Sequence, residues 1–260
     1  MKFIDTHAHI YSKKFDGDRE KIIRETQDEG VEKIYMPNIS VESIDDMLEL
    51  ERIFPEVCIP MMGLHPCDVL PNFQKDLYVM EEWISKRDFA GIGETGIDLY
   101  WDKTYLNEQK ESLKIHAEWA KEKGWPLILH CRDSMDETLE VIESLQDERL
   151  FGIFHCFSGS LEQAKKIIEL GFYLGIGGTV TYKNSSLKAL LPQIGPSRLV
   201  LETDSPYLAP VPHRGKRNAP SNIPLIGKEI AAILDISLAE VAAVTTENAK
   251  KIFNPAKDEL

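Results

Sequence analysis

The chain has 260 residues, 43% of them hydrophobic, with 30 Lys and Arg against 43 Asp and Glu, a formal net charge of -13. That length is enough to bury roughly three quarters of the unfolded surface in one domain spanning 1–260, with an ordered core to about 254 and a short tail at 255–260. The charge excludes a protein that coats nucleic acid broadly, because such binding needs Lys and Arg to neutralise phosphates; a local basic mouth remains compatible with it.

Apolar runs at 3–10, 33–39, 57–65, 90–97, 127–132, 152–157, 172–177 and 199–203 read as strands, with helical patterns between them. Ser160-Leu161-Glu162-Gln163 forms a capping box, Gly30, Gly124 and Gly171 stand as C-terminal caps, and Leu106, Leu113, Ala117 and Ala120 keep helical spacing. A proline-rich loop at 205–220 precedes helices at 223–234 and 238–253, the second opened by Ser237 with Glu240 at the capping-box distance. This alternation predicts an α/β TIM (β/α)8 barrel with an additional C-terminal helix, the last two helices completing its outer ring. A doubly wound open sheet would put a glycine-rich phosphate turn after the first strand, where His7-Ala8-His9 stands instead.

No run approaches the roughly 18 apolar residues of a membrane span, and Met1-Lys2-Phe3 leads into a strand without room for a signal peptide. A cytoplasmic protein with no membrane association and no obligate protein partner is expected. Cys58, Cys67, Cys131 and Cys156 contain no CxxC pair, as suits reduced thiols. Strand alternation should turn Cys131 and Cys156 away from the histidines that precede them. The terminal Lys257-Asp258-Glu259-Leu260 matches an ER-retention signal and is read as coincidence, since nothing in the sequence carries the chain into a lumen.

In a barrel of this kind functional groups sit at the C-terminal ends of strands. There the sequence places His7 and His9 on the first run, Glu94 on the fourth, His130 on the fifth, His155 on the sixth and Asp204 on the eighth. A lone histidine in such a place is more often structural, but six chelating residues on one rim have no bland explanation as a group. Period-two alternation lets His7 and His9 share a face and reach one ion. Asp204 suits that ion, His130 and His155 suit a second, and the two oxygens of Glu94 can bridge them. Six protein ligands over two divalent ions leave room for water and substrate, the mark of a catalytic site. The donor types leave Mg, Mn and Zn open.

The segments Phe3-Ile4-Asp5-Thr6-His7-Ala8-His9, Gly63-Leu64-His65-Pro66, Gly91-Ile92-Gly93-Glu94-Thr95-Gly96-Ile97-Asp98, His130-Cys131-Arg132-Asp133, His155-Cys156-Phe157-Ser158-Gly159 and Leu201-Glu202-Thr203-Asp204-Ser205-Pro206 resemble the TatD family of metal-dependent deoxyribonucleases, one of the amidohydrolase-like barrels. The resemblance runs in order through Asn218-Ala219-Pro220 and Asn248-Ala249. It implies that the same six residues hold the metals, that Glu94 bridges where many amidohydrolases use a modified lysine, and that the substrate is DNA, as single strands or strand ends. A site at the mouth of a barrel receives a strand end more easily than the middle of a duplex, which points to exonucleolytic cutting.

Residues facing the substrate are less determined. His65 reads as a donor to phosphate ahead of a further metal ligand, with a structural role close behind. Arg132 can hold a phosphate bidentately or pair with Asp133. Arg214 and Lys216, within His213-Arg214-Gly215-Lys216-Arg217, form a basic rim or a solvated loop. Tyr182 and Lys183 have only their position in favour of a contact, Glu202 orients a neighbouring group or fills a barrel layer, and His116 is assigned no function. The expected chemistry is attack of a metal-activated water on phosphorus, with Glu94 and Asp204 as catalytic carboxylates and Asp204 taking the proton. The alternative is the same attack on a small ester, amide or lactone, or on an aminoacyl-tRNA bond, because folds do not fix substrates.

Overall fold

In the computed structural model, which describes residues 1–254, the apolar runs form eight parallel strands: β1 (Phe3–Asp5), β2 (Val31–Pro37), β3 (Cys58–Met61), β4 (Ile92–Asp98), β5 (Leu127–Arg132), β6 (Gly152–Phe154), β7 (Tyr173–Ile176) and β8 (Leu199–Leu201). Between them run α1 (Arg19–Asp28), α2 (Ile44–Ile53), α3 (Gln74–Lys86), α4 (Leu106–Lys123), α5 (Met135–Leu145), α6 (Leu161–Glu169) and α7 (Leu187–Ile194), followed by α8 (Ile223–Leu234) and α9 (Leu238–Phe253). The expected tail at 255–260 and its terminal tetrapeptide lie outside the described residues. Among those residues no helix is long and apolar enough to cross a membrane.

The ladders β1-β2-β3 and β4-β5-β6-β7-β8 join at two seams. At one, Met62 N–H donates to Gly91 O at 3.1 Å and Gly93 N–H to Met62 O at 2.8 Å; at the other, Thr6 N–H donates to Leu201 O at 3.0 Å and Ala8 bridges Ser205. The result is the TIM barrel that the sequence predicts. Several runs leave the ladder sooner than expected, β1 at Asp5, β3 at Met61, β6 at Phe154 and β8 at Leu201. Beyond these points the chain bends over the barrel mouth, and Cys156 (φ 49°) and Asp204 (φ 54°) take left-handed conformations that no strand allows.

Alternation along the strands separates two cores. Leu127 and Leu129, Phe154, and Leu199 and Leu201 pack outward with the helices, whereas Ile128, Ile153 and Val200 pack inside with Ile4, Tyr35 and Met61. Two residues further along the inward face come His130, His155 and Glu202, so an apolar layer floors a polar one. The last two helices do more than complete the outer ring. Ala249, Ile252 and Phe253 of α9 join the interior core from below, Phe253 stacking on Tyr35 with ring centroids 3.6 Å apart.

His116 has a structural role that its sequence position did not disclose. Buried on α4, it donates from Nδ1 to Ser112 O at 2.7 Å and accepts Leu64 N–H on Nε2 at 3.0 Å, which fixes the turn that presents His65. Burial lowers its pKa from 6.5 to about 4. The unfolded chain therefore binds this proton first, and the stabilisation present above pH 6.5 is lost as pH falls toward 4. His116→Leu should cost roughly 1–3 kcal/mol at pH 7 by orphaning the Leu64 N–H. Urea melts should also show a shallower loss of stability between pH 6.5 and 4 than in the wild type; an unchanged acid limb would reassign the sensitivity elsewhere.

Candidate metal centre

A bulge in β4 aims Glu94 into the barrel mouth. Between Ile92 and Thr95 this strand advances three residues against two from Leu127 to Leu129 of β5. Gly93 occupies the extra step at φ 147°, where a Cβ would meet Ile128 at 2.7 Å. Bulges re-aim side chains, and this one delivers the carboxylate of Glu94, 2% exposed, among five imidazoles. Its Oε2 lies 3.0 Å from His7 Nε2 and 3.4 Å from His9 Nε2. Its Oε1 lies 2.8 Å from His130 Nδ1, 3.1 Å from His155 Nε2 and 3.5 Å from His65 Nε2. Asp204 Oδ1 stands 3.4 Å from His9 Nε2 and 3.9 Å from His7 Nε2. All six residues expected to hold metal thus converge, and His65 joins them.

Asp5 ties the two flanking segments together. It accepts Thr203 N–H at 3.0 Å and His7 N–H at 3.2 Å, and the Thr203 hydroxyl at 2.5 Å. Burial pushes its pKa up to about 8 against the pull of these donors. Asp204 N–H donates to His7 O at 2.9 Å, and Asn218 of the proline-rich loop donates to Thr203 O at 2.8 Å.

The neighbours of the rings set their tautomers. Tyr11 gives its hydroxyl proton to Pro37 O at 2.6 Å and so accepts from His9 Nδ1 at 3.0 Å. Glu202 Oε1, which accepts Cys156 N–H at 2.5 Å, also accepts His155 Nδ1–H at 3.2 Å. Asp98 Oδ2 accepts His130 Nε2–H at 2.9 Å. In the neutral form of each ring the inward nitrogen is therefore the unprotonated one, the state in which it can ligate a cation beside Glu94; without a cation a proton there meets the carboxylate. His65 is the opposite case: its Nδ1 accepts Cys67 N–H at 3.1 Å, so in the neutral ring Nε2 carries the proton. Burial, aided by the neighbouring histidines, lowers its pKa to about 3 and keeps that ring neutral.

The electrostatics call for positive charge. Burial opposes ionisation of His9, His130 and His155, yet Tyr11 and Asp204 around His9, Asp98 and Glu94 around His130, and Glu94 and Glu202 around His155 raise all three pKa values. Burial likewise opposes charge on Glu94 and Asp204, but the surrounding histidines hold both below the usual carboxylate range. Divalent cations satisfy the same demand without protons, and the triads His7, His9, Glu94 and His7, His155, Asp204 and His65, Glu94, His130 each bring ligand atoms within 4.8 Å of one another.

At the rim the Arg132 guanidinium lies 3.7 Å over the Tyr100 ring, stacked on an aromatic and not paired with Asp133, the alternative to phosphate binding that the sequence left open. Arg214 lies 4.5 Å over Tyr182, and Lys216 is exposed beside it. Arg217 is structural, pairing with Asp18 at 2.5 Å. Cys131 packs into the core as expected. Cys156 does not turn away, because β6 has already ended; Asp204, Glu202 and Glu94 all act on its thiol, which burial and these charges push up.

The family model described as TatD-related DNase matches residues 4–254. The chain belongs to the TatD-related DNase family. It is 36% identical over 250 residues to the uncharacterized metal-dependent hydrolase YabD of Bacillus subtilis, covering 96% of this chain and 98% of that one. It is 29% identical over 259 residues to the 3'-5' ssDNA/RNA exonuclease TatD of Dickeya dadantii, covering 97% and 98%. The crystal structure of YJJV, a TatD homolog from Escherichia coli K12, superposes with a TM-score of 0.91 at 28% identity, covering 98% of each chain. Within this TatD-family barrel, Asp98 and Tyr11 have roles that the sequence analysis missed, although the even spacing of Asp98 from Glu94 on β4 signals a shared strand face.

Glu202 fits only because residue 175 is glycine: a Cβ there would collide with its carboxylate. Gly175→Ala should displace Glu202, free His155 Nδ1–H and weaken metal binding or activity roughly 10- to 100-fold with the fold retained. Metal titration alongside circular dichroism measures this, and unchanged affinity would remove Glu202 from the support of His155.

Proposed function

We propose that the chain is a metal-dependent exonuclease that trims single-stranded DNA and strand ends, with residues around Glu94 that would hold two divalent ions. His7, His9 and Asp204 would hold one ion, His130 and His155 the other, and Glu94 would serve both; Mg, Mn and Zn all suit this mixture of imidazole and carboxylate. The observation that carries the reading is the division of the two Glu94 oxygens between two histidine groups. The 3′→5′ direction is proposed from the activity named for the Dickeya relative. Four free cysteines suit work in a reducing cytoplasm.

When bound, divalent ions lower the pKa of a water toward neutrality and screen phosphate oxygens. Asp204, held ionised by His9 and its neighbours, accepts the proton of the attacking water. His65 Nε2–H donates to a phosphate oxygen, a role that its neutral tautomer favours over ligation. Tyr11, Asp98 and Glu202 hold the outer N–H groups of His9, His130 and His155, so that the inward nitrogens stay fixed. Arg132, Arg214 and Lys216 bring positive charge to the rim of an acidic protein.

Labelling DNA and RNA at either end, as single strands and duplexes, and adding Mg, Mn or Zn should reveal stepwise shortening that chelator stops. Asp204→Asn should reduce kcat on single-stranded DNA by roughly 10²- to 10⁴-fold, the range of general-base contributions, without unfolding. Near wild-type turnover would take Asp204 out of the mechanism. Charge reversal at Arg214 and Lys216 should raise KM for DNA and spare neutral esters; equal losses on both substrates would favour the small-ester reading.

A further inference from the structure

Nine large apolar side chains are exposed among the described residues, and five of them, Tyr100, Trp101, Tyr207, Leu208 and Val211, sit on the loops after β4 and β8. These loops frame the histidine cluster. Trp101 is 73% exposed and Tyr100 51%, their rings meeting edge to face at 4.8 Å. Arg132 lies 3.7 Å over Tyr100 and 5.5 Å from the Trp101 ring. Asp98 anchors this group to the centre, since it accepts Tyr100 N–H at 3.0 Å and also holds His130 Nε2–H. On the opposite flank Lys14 lies 4.4 Å over Tyr207, whose ring stands 6.3 Å from that of His9.

Exposed aromatics interleaved with stacked cations, within a protein of net charge -13, match the chemistry of a single nucleic-acid strand, with flat bases and one phosphate per nucleotide. We propose that Tyr100, Trp101 and Arg132 form a nucleobase-stacking platform that seats an unpaired base beside the metal centre and so selects single strands over duplexes. At a duplex end the terminal base is still held by its pair and by the neighbour beneath it, so laying it on Trp101 costs an unpairing and unstacking that a free strand does not require. Every base has a π face, which makes the platform tolerant of sequence. Arg132, with its face on Tyr100, keeps its N–H edge for the adjoining phosphate. The platform rests on the exonuclease reading and adds the determinant of strand preference.

The test compares wild-type holoenzyme with Trp101→Ala and Trp101→Phe on a labelled single-stranded oligonucleotide and on the same strand with abasic terminal nucleotides. Wild-type KM should be roughly 5- to 100-fold lower for the strand that carries bases, the span expected of one or two stacking contacts. Trp101→Ala should abolish that difference and Trp101→Phe keep part of it, while Trp101→Ala raises KM more than it lowers kcat. If the enzyme cleaves both strands but wild type makes no distinction between them, or Trp101→Ala keeps it, the platform is overturned and the exonuclease reading stands. If neither strand is cleaved with any of the three metals, both fall.

Discussion

Everything at the mouth of this barrel is arranged around one buried carboxylate. Isolating a charge of that kind in a protein interior costs several kcal/mol unless partners surround it. Glu94 is tolerated because five ring nitrogens face its two oxygens, and His9 and His7 answer the second negative charge that Asp204 adds on one side. The carboxylate reaches that point only through the β4 bulge, which in turn needs glycine at 93, and at 63 where a Cβ would meet the Gly93 backbone at 2.6 Å. A backbone irregularity is thus the origin of the electrostatic field that attracts cations.

The barrel supplies rigidity from below. Its inward face is apolar at Ile128, Ile153 and Val200 and polar two residues later, and α9 seals the floor with Phe253 on Tyr35. A packed floor keeps the polar layer from collapsing inward, while acceptors on β4 and on the segments just after β8 and β1 fix the rings from outside. Asp98, Glu202 and Tyr11 come from three different parts of the chain yet perform one task. Preorganisation of this kind lets a site meet charge developing in a transition state without rearranging.

Around this centre the acidic surface gives way to cations laid on aromatic rings: Arg132 on Tyr100, Arg214 on Tyr182 and Lys14 on Tyr207. Stacking steadies a long side chain at low entropic cost while leaving its polar edge free. Local charge at the mouth is consequently independent of the net charge of the chain, which explains how a protein of -13 is suited to an anionic substrate.

The barrel and the convergence of His7, His9, Glu94, His130, His155 and Asp204 were legible in the sequence, because alternation and element order require only local patterns. Asp98 and Tyr11 escaped notice because their roles are pairings with ring nitrogens of His130 and His9; spacing on β4 marks the face that Asp98 shares with Glu94, but nothing local names the partner of either residue. Cys156 misled because alternation was carried past Phe154, where the ladder had already ended. His116 was set aside because its partner, Leu64 N–H, lies 52 residues away in the chain. The sequence by itself determined which chemistry gathers at the mouth, through residue types at strand ends. Only the tertiary structure decided which nitrogen of each ring turns inward, which oxygen of Glu94 serves which group, and which cations rest on rings, since each depends on contacts between segments distant in the chain.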